Sequence, residues 1–557
     1  MKRRDFIART TLAGLSSLAL PMISFPDVLT KSRTIKNTVR GKLIFKPYFV
    51  QKGRGLHLYE LVWASDKNWD TFYSDITLNK NGVEISDSKG IDKFGVTVRW
   101  NVEGFGYTNI TADNGGEYYQ LPDSGNTKEF NLVCELAKSR IVRNRTRSNK
   151  FVKENWIPGR DTKAFLDLSE EFFNEAVKHQ NDDEKCAQLS QKSLYYALWG
   201  GEKMELEKAE LEIIKRGLRK DFLFGCDARG FYQMYQEKFF ELYAQLFNYA
   251  KVTFIQVNDA IPGDLEPQED KLQFGVRDLL IERFREHNII CEGRALFWFH
   301  HWVTPDWVKN KPFDELKKYV EKHTCEVVKH HGQAVYAWEI VNELHDWANE
   351  CLLTPEQTVE LTKLACDVAY ATEPKVHRLI NNCCPCAEYV QMKQWSGQEA
   401  KYRQRTPNQF LRDLVDAGVN FDIVGQQMYF PYRDLQDTII MIERLAEFNK
   451  PVQLTEVGCP AGPTNDIIRL GTSKMPNEPY IWHRYWDEET QSEWFEGLYK
   501  LAFSKPYIES ISWFDMIDPY VYMENGGLLK SREGAKKLSY DRMKKLLDGF
   551  KSLPLKF

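Results

Sequence analysis

Two glutamates stand in settings suited to acid–base and nucleophilic chemistry. Glu343 closes the segment Trp338-Glu339-Ile340-Val341-Asn342-Glu343, and Glu456 closes Leu454-Thr455-Glu456. Each follows a short apolar run, so each is expected near the end of a buried strand, where a side chain can reach a cleft. One carboxylic acid that gives up a proton and one carboxylate that attacks carbon, about 5 Å apart, are the pair needed to break a glycosidic bond with retention. The bland alternative makes both residues surface-loop glutamates, and only their placement separates the two readings.

The pattern around them supplies that placement. From residue 220 onward, short apolar runs alternate with amphipathic stretches of helical period. The runs are Phe222 to Cys226, Val252 to Val257, Ile289 to Trp298, Ala334 to Val341, His377 to Ile380, Phe421 to Gln427, Val452 to Leu454 and Ile508 to Trp513. Between them lie helical segments such as Leu316 to Lys329 and Val359 to Tyr370. This alternation predicts an α/β fold, a closed (β/α)8 TIM barrel over residues 220–557, with Glu343 and Glu456 just past the fourth and seventh runs and therefore on one face.

Upstream, residues 40–148 read as a small all-β, sandwich-like domain. Val96, Val98, Trp100 and Val102 alternate with Thr97, Arg99 and Asn101, and Asn81-Gly82 and Asn114-Gly115-Gly116 mark turns. Trp63, Trp69 and Trp100 are either its core or a platform for sugar rings. The basic run from Arg140 to Arg147 reads as a solvated linker, and residues 149–219, with Leu206, Ala209, Ile213 and Leu218 at helical spacing, as a helical connector.

Residues 1–27 begin Met1-Lys2-Arg3-Arg4-Asp5-Phe6 and continue into an apolar stretch from Thr10 to Phe25, which resembles a twin-arginine export signal. An exported protein, periplasmic or extracellular, is expected. No second run approaches the ~20 apolar residues of a membrane span. A net charge of -4 gives no basic footprint for nucleic acid. The eleven cysteines have irregular spacing and no disulfide framework, although Cys383, Cys384, Cys386 and Cys459 follow strands of the catalytic face and are either thiols or one bridge. His300, His301 and His345 do not make a spaced ligand set, so neither metal nor cofactor is expected.

The two glutamate motifs resemble those of the glycoside hydrolase family 10 xylanases, whose acid/base motif is Trp-Asp-Val-Val-Asn-Glu and whose nucleophile motif is Thr-Glu-Leu-Asp. The resemblance runs through Phe224-Gly225, Glu266-Pro267-Gln268, Gly293 to Trp298, Thr304-Pro305-Asp306-Trp307, Ile380-Asn381-Asn382, Gly425-Gln426-Gln427, Trp513 with Asp518, and Gly527-Leu528-Leu529 with Lys537 and Tyr540. It implies a retaining glycosidase acting on β-1,4 linkages in xylan or a related plant polysaccharide. Glu456 would be the nucleophile and Glu343 the acid/base. Asn342 would bind a 2-hydroxyl, and Asn258, Arg294, His300, His301, Gln427, Tyr429 and Trp513 would line the sugar site.

Departures from the family pattern concentrate around that pair. The lysine that grips a xylose is missing from Val257 to Asp264. Gly-His-Thr-Leu-Val-Trp-His becomes Gly293-Arg294-Ala295-Leu296-Phe297-Trp298-Phe299. The expected histidine after Gln427 is Tyr429, a phenol placed to donate to Glu456 in its stead, and Gly458 replaces the motif's aspartate. A glycanase for a decorated or different β-glycan fits such a changed shell, and so does a barrel that binds carbohydrate without turnover. The aromatic segment from Tyr480 to Trp486 either shapes the cleft or anchors its own loop.

Overall fold

The structure is a computed structural model, and it describes residues 41–48, 61–79, 81–257, 263–395, 398–429, 431, 433–462, 481–518 and 522–556. The expected export signal and Asn258 lie outside them. Strands β1 (Lys42–Lys46), β2 (Trp63–Asp66), β3 (Thr71–Phe72), β4 (Asp75–Asn79), β5 (Gly82–Asp87), β6 (Phe94–Val102), β7 (Gly106–Ala112) and β8 (Thr127–Asn131) form the N-terminal β region. They make two sheets, β4-β5-β1-β8 and β7-β6-β2-β3, closed over Leu43, Phe45, Val83, Ile85, Phe94, Val96 and Val98.

Three helices follow, α1 (Leu132–Lys153), α2 (Arg160–Lys178) and α3 (Asp183–Arg216). They are not a detached connector. Leu132, Val133, Leu136 and Ala137 of α1 and Ala187, Leu194 and Leu198 of α3 share the core of the β region. The run from Arg140 to Arg147 lies inside α1, and its solvated-linker reading is overturned. Positions 140, 143 and 147 fall on one helical face, and that face meets the carboxylates of a barrel helix. Arg140, fully buried, donates to Asp434 at 2.9 Å; Arg143 donates to Asp437 at 2.8 Å and Arg147 to Glu443 at 2.8 Å. Of that run, Arg145 faces outward and pairs with Glu170.

The barrel strands are β9 (Leu223–Asp227), β10 (Tyr249–Thr253), β11 (Ile290–Arg294), β12 (Ala337–Asn342) and β13 (His377–Asn382). After a hairpin of β14 (Gln394–Trp395) and β15 (Gln398–Glu399) come β16 (Ile423–Tyr429), β17 (Val452–Gly458), the short β18 (Ile481–Trp482) and β19 (Ile508–Trp513). The eight barrel strands close in the order β10-β11-β12-β13-β16-β17-β19-β9, all pairs parallel. Each is followed by a helix: α4 (Gln236–Ala244), α5 (Gly275–Glu286), α6 (Phe313–His331), α7 (Pro355–Thr372), α8 (Pro407–Asp416), α9 (Leu435–Glu443), α10 (Glu488–Ser504) and α11 (Leu538–Lys551). Local signals start several of them. Thr354 with Gln357 and Thr406 with Gln409 form capping boxes, each with proline in the first turn, and Asp434 caps α9 while holding Arg140.

The β region and the barrel are joined through the loop that follows β17. Strand β18 pairs antiparallel with β7, so the barrel contributes an edge strand to the upstream sheet. His483 then stacks on Trp482 and its Nε2 donates to Glu202 of α3 at 2.6 Å. The three tryptophans of the β region do not form a platform. Trp63 is buried, Trp100 is tied to Gln191 at 2.9 Å, and Trp69 lies with Arg143 at 5.0 Å and Arg433 at 5.3 Å from its ring. Among the described residues no helix is long and apolar enough to cross a membrane.

Candidate active site

The C-terminal ends of the strands bring the two glutamates to a shared support. The backbone N–H of Glu343 donates to the carbonyl of Asn381 at 2.9 Å, while the Asn381 side chain donates to Glu456 Oε1 at 3.2 Å. Glu343 follows β12 with φ of +57°, a left-handed conformation that costs a non-glycine residue free energy and re-aims its side chain. Glu456 lies within β17 rather than beyond it. The pairing register slips between Gln426 and Gln427 on β16 and between Leu454 and Val457 on β17, setting Glu456 opposite Gln427. Bulges of this kind turn a strand residue towards a site.

Each carboxylate has its own set of donors. Glu343 accepts from Trp298 Nε1 at 2.7 Å and from Gln427 Nε2 at 2.8 Å, and Gln427 also reaches Asn342 Oδ1 at 3.2 Å. Burial, reinforced by the charge of Glu456, pushes the Glu343 carboxyl up to about 7 against the two hydrogen bonds that oppose the shift. Glu456 receives Arg294 through Nη2 at 2.6 Å and Nε at 3.2 Å, Asn381 at 3.2 Å, and the Tyr429 hydroxyl at 2.5 Å. All of these hydrogen bonds come from donors, and one donor is a guanidinium, the geometric complement of a carboxylate.

The altered residues fit one another. A Cβ on Gly458 would stand 2.8 Å from the Phe514 carbonyl and 3.3 Å from the Tyr429 ring, so the ring that replaces the family's histidine occupies the space an aspartate at 458 would need. Arg294 is buried and divides its donors between Glu456 and Asp227, the latter at 3.2 Å, with Glu339 at 3.8 Å beneath. Glu339 has no hydrogen bond to either oxygen, and burial raises its carboxyl to about 8.

The structure gathers Asn342, Arg294, Gln427 and Tyr429 around Glu343 and Glu456. The other expected sugar-site residues take different places. Trp513 has no exposed surface and donates to the Gly526 carbonyl at 3.2 Å, so it supports the wall from within. His300 is buried, stacked on Trp298 with centroids 4.7 Å apart, and its ring accepts from the Trp302 N–H; burial holds its imidazole well below the usual range, hence neutral. His301 and Trp302 continue this aromatic strip outward, with Trp302 54% exposed. His345 is buried between Tyr389, at 2.9 Å, and the backbone N–H of Cys383. All eleven cysteines are unpaired.

Sequence reasoning passed over Trp298, Asn381 and Asp227. Trp298 and Asn381 stood inside segments of the family resemblance without an assigned role. Asp227 carried no signal, because its importance comes only from the Arg294 side chain that reaches it from β11, on the far side of β10.

A family model described as glycosyl hydrolase family 10 matches residues 218–545. The chain is 24% identical over 277 residues to a β-1,4-xylanase of Dictyoglomus thermophilum, an alignment covering 46% of this chain and 69% of that one. It is 21% identical over 311 residues to endo-1,4-beta-xylanase A of Caldicellulosiruptor sp., covering 47% of this chain and 42% of the relative. An endo-1,4-beta-xylanase/feruloyl esterase of Xylanibacter ruminicola is 26% identical over 215 residues, 35% of this chain and 28% of the relative. The chain thus spans about two thirds of the first of these and less than half of the other two. Among solved structures, xylanase 10B of Thermotoga petrophila RKU-1 in complex with xylobiose is matched over 59% of this chain and 94% of its own, at 19% identity and a TM-score of 0.44.

Proposed function

The chain belongs to glycosyl hydrolase family 10, and we propose that it cleaves β-1,4 linkages in xylan or a related plant polysaccharide with retention at the anomeric carbon. The observation that carries this reading is the divergent environment of two glutamates tied to one residue, Asn381, Glu343 through its backbone N–H and Glu456 through its carboxylate. Glu343 is buried and keeps its proton up to about pH 7, whereas Glu456 is ringed by Arg294, Asn381 and Tyr429 as donors.

In the first step an oxygen lone pair of Glu456 bonds to the anomeric carbon as the bond to the departing glycosidic oxygen breaks, and that oxygen takes the proton of Glu343. The product is a glycosyl ester on Glu456 and an ionised Glu343. Water then attacks the same carbon, gives its proton to Glu343 and releases Glu456, which restores both groups. Gln427, hydrogen-bonded to Glu343 and Asn342 together, keeps the acid in register with the residue proposed to hold the 2-hydroxyl. The twin-arginine-like start supports placing this activity outside the cytoplasm.

One feature favours a decorated xylan over plain linear xylan. Arg294 is spent on Glu456 and Asp227, so the sugar beside the nucleophile meets the Tyr429 and Arg294 side chains in place of the family's imidazoles. The test is hydrolysis of aryl β-glycosides and plant polysaccharides by wild type and Glu456→Ala, with reducing ends and product sizes followed. Xylo-oligosaccharides from wild type alone are expected. Turnover only on another β-glycan would retain the mechanism and reject the xylan substrate, and oligosaccharide binding without turnover by wild type would reject the enzyme.

A further inference from the structure

The outer wall of the barrel carries a second convergence of potential ligand groups, none of which belongs to the hydrogen-bond network of the glutamate pair. Asp278 lies in the first turn of α5, and His330 and His331 end α6. His330 Nε2 is 2.9 Å from Asp278 Oδ1, His331 Nδ1 is 3.7 Å from the same oxygen, and one ligand atom of each residue lies within 4.8 Å of the others.

Both rings are fixed before any ligand arrives. His330 stacks on Phe274 with centroids 3.8 Å apart and 11° between planes. His331 meets Phe254 edge-on at 4.9 Å and Phe274 at 5.4 Å. His331 is only 8% exposed, yet its imidazole makes no hydrogen bond. Nε2 has no partner, and Nδ1, aimed at Asp278, stops at 3.7 Å, beyond hydrogen-bond range. Nε2 stays buried without a partner, while Nδ1 faces the Asp278 carboxylate across a gap too long for a hydrogen bond and of the size a shared ion would span.

We propose that Asp278, His330 and His331 bind one divalent transition-metal ion of the zinc class, with solvent as the remaining ligand. Two imidazole nitrogens and one carboxylate are a borderline donor set, which suits zinc, cobalt or nickel over magnesium or calcium. Ligand atoms about 2.0–2.2 Å from a tetrahedral ion stand roughly 3.3–3.5 Å apart, and the distances of 2.9 and 3.7 Å bracket that spacing. Asp278 and His330 are 47% and 39% exposed, which leaves an entry path and an open position. The ion would staple the start of α5 to the end of α6, the helix that leads into β12 and so towards Glu343.

The test is calorimetric titration of chelator-treated, full-length protein with zinc chloride alone, beside Asp278→Asn and His330→Ala. One zinc per chain is expected for wild type, weakened at least 10-fold in each variant, with glycosidase activity unchanged by either substitution in the absence of metal. Cobalt should give visible ligand-field bands of a low-coordinate nitrogen/oxygen site in wild type only, a signature that loose surface binding does not produce. No saturable zinc binding, or equal binding by wild type and both variants, overturns the proposal.

Discussion

Replacing Glu343 by glutamine should stabilise the protein in neutral and alkaline solution while disabling it. The carboxyl sits at about 7 in the folded chain against an ordinary value of 4.5. Below about pH 4.5 it is protonated in both states and contributes nothing to the pH dependence. Between about 4.5 and 7 the unfolded chain has released the proton while the folded one retains it, so wild-type stability falls as pH rises; above 7 the loss is complete. At 1.36 kcal/mol per pH unit, the span from 4.5 to about 7 amounts to about 3 kcal/mol. Glutamine has no charge to bury, so the stability of Glu343→Gln minus that of wild type should be nearly level below pH 4.5, climb through pH 5–7 and reach a plateau about 3 kcal/mol higher. Urea unfolding at a series of pH values measures it. A difference that stays flat across that range, whatever its constant offset from altered hydrogen bonds to Trp298 and Gln427, would mean that Glu343 is not buried as a protonated acid. The same proton governs kinetics. Wild-type kcat/KM on oligosaccharides should fall as pH rises through about 7, and Glu343→Gln should lose roughly 10²–10⁴-fold on such substrates while still releasing a first equivalent of dinitrophenol, a leaving group that needs no acid.

Two further substitutions probe the supports. Tyr429→Phe deletes the 2.5 Å donor to Glu456 while Arg294 and Asn381 stay in place; a hydrogen bond to a charged group is worth about 1.5–3 kcal/mol, so kcat/KM should drop roughly 10- to 100-fold, and undiminished activity would remove Tyr429 from the mechanism. Arg140→Ala leaves Asp434 and Asp437 buried without their shared cation and should cost about 3–5 kcal/mol in denaturant unfolding, whereas a loss below about 1 kcal/mol would mean that the seam between α1 and α9 contributes little.

That seam makes the β region part of the catalytic body. Arg140, Arg143 and Arg147 meet Asp434, Asp437 and Glu443, and β18 completes the edge of the upstream sheet. The loop after β17, the strand that carries Glu456, is therefore held from outside the barrel. Thr71 of β3 likewise donates to the Cys386 carbonyl at 2.7 Å, in the loop after β13, the strand that carries Asn381. Both attachments reach loops on the catalytic face, so a shift of the β region would be felt where the two glutamates are supported.

Local pattern was enough to predict the eight-fold alternation and to single out the candidate glutamate pair. Apolar runs of strand length separated by amphipathic helices need only local periodicity, and each of the eight runs contains or overlaps its barrel strand. The hydrogen bond from Tyr429 to Glu456 was also readable, because the motif's missing histidine left a phenol at a fixed distance from Gln427. Contacts between residues far apart in sequence set the rest. Arg294, read as a sugar ligand, is drawn to Glu456 and Asp227 because three strands of a closed barrel aim their ends at one point. Trp513 turned inward, and the run from Arg140 to Arg147, polar by composition, became a buried face because carboxylates more than 290 residues away neutralise it. Charge in a sequence shows which residues need partners, and the fold alone says where those partners are.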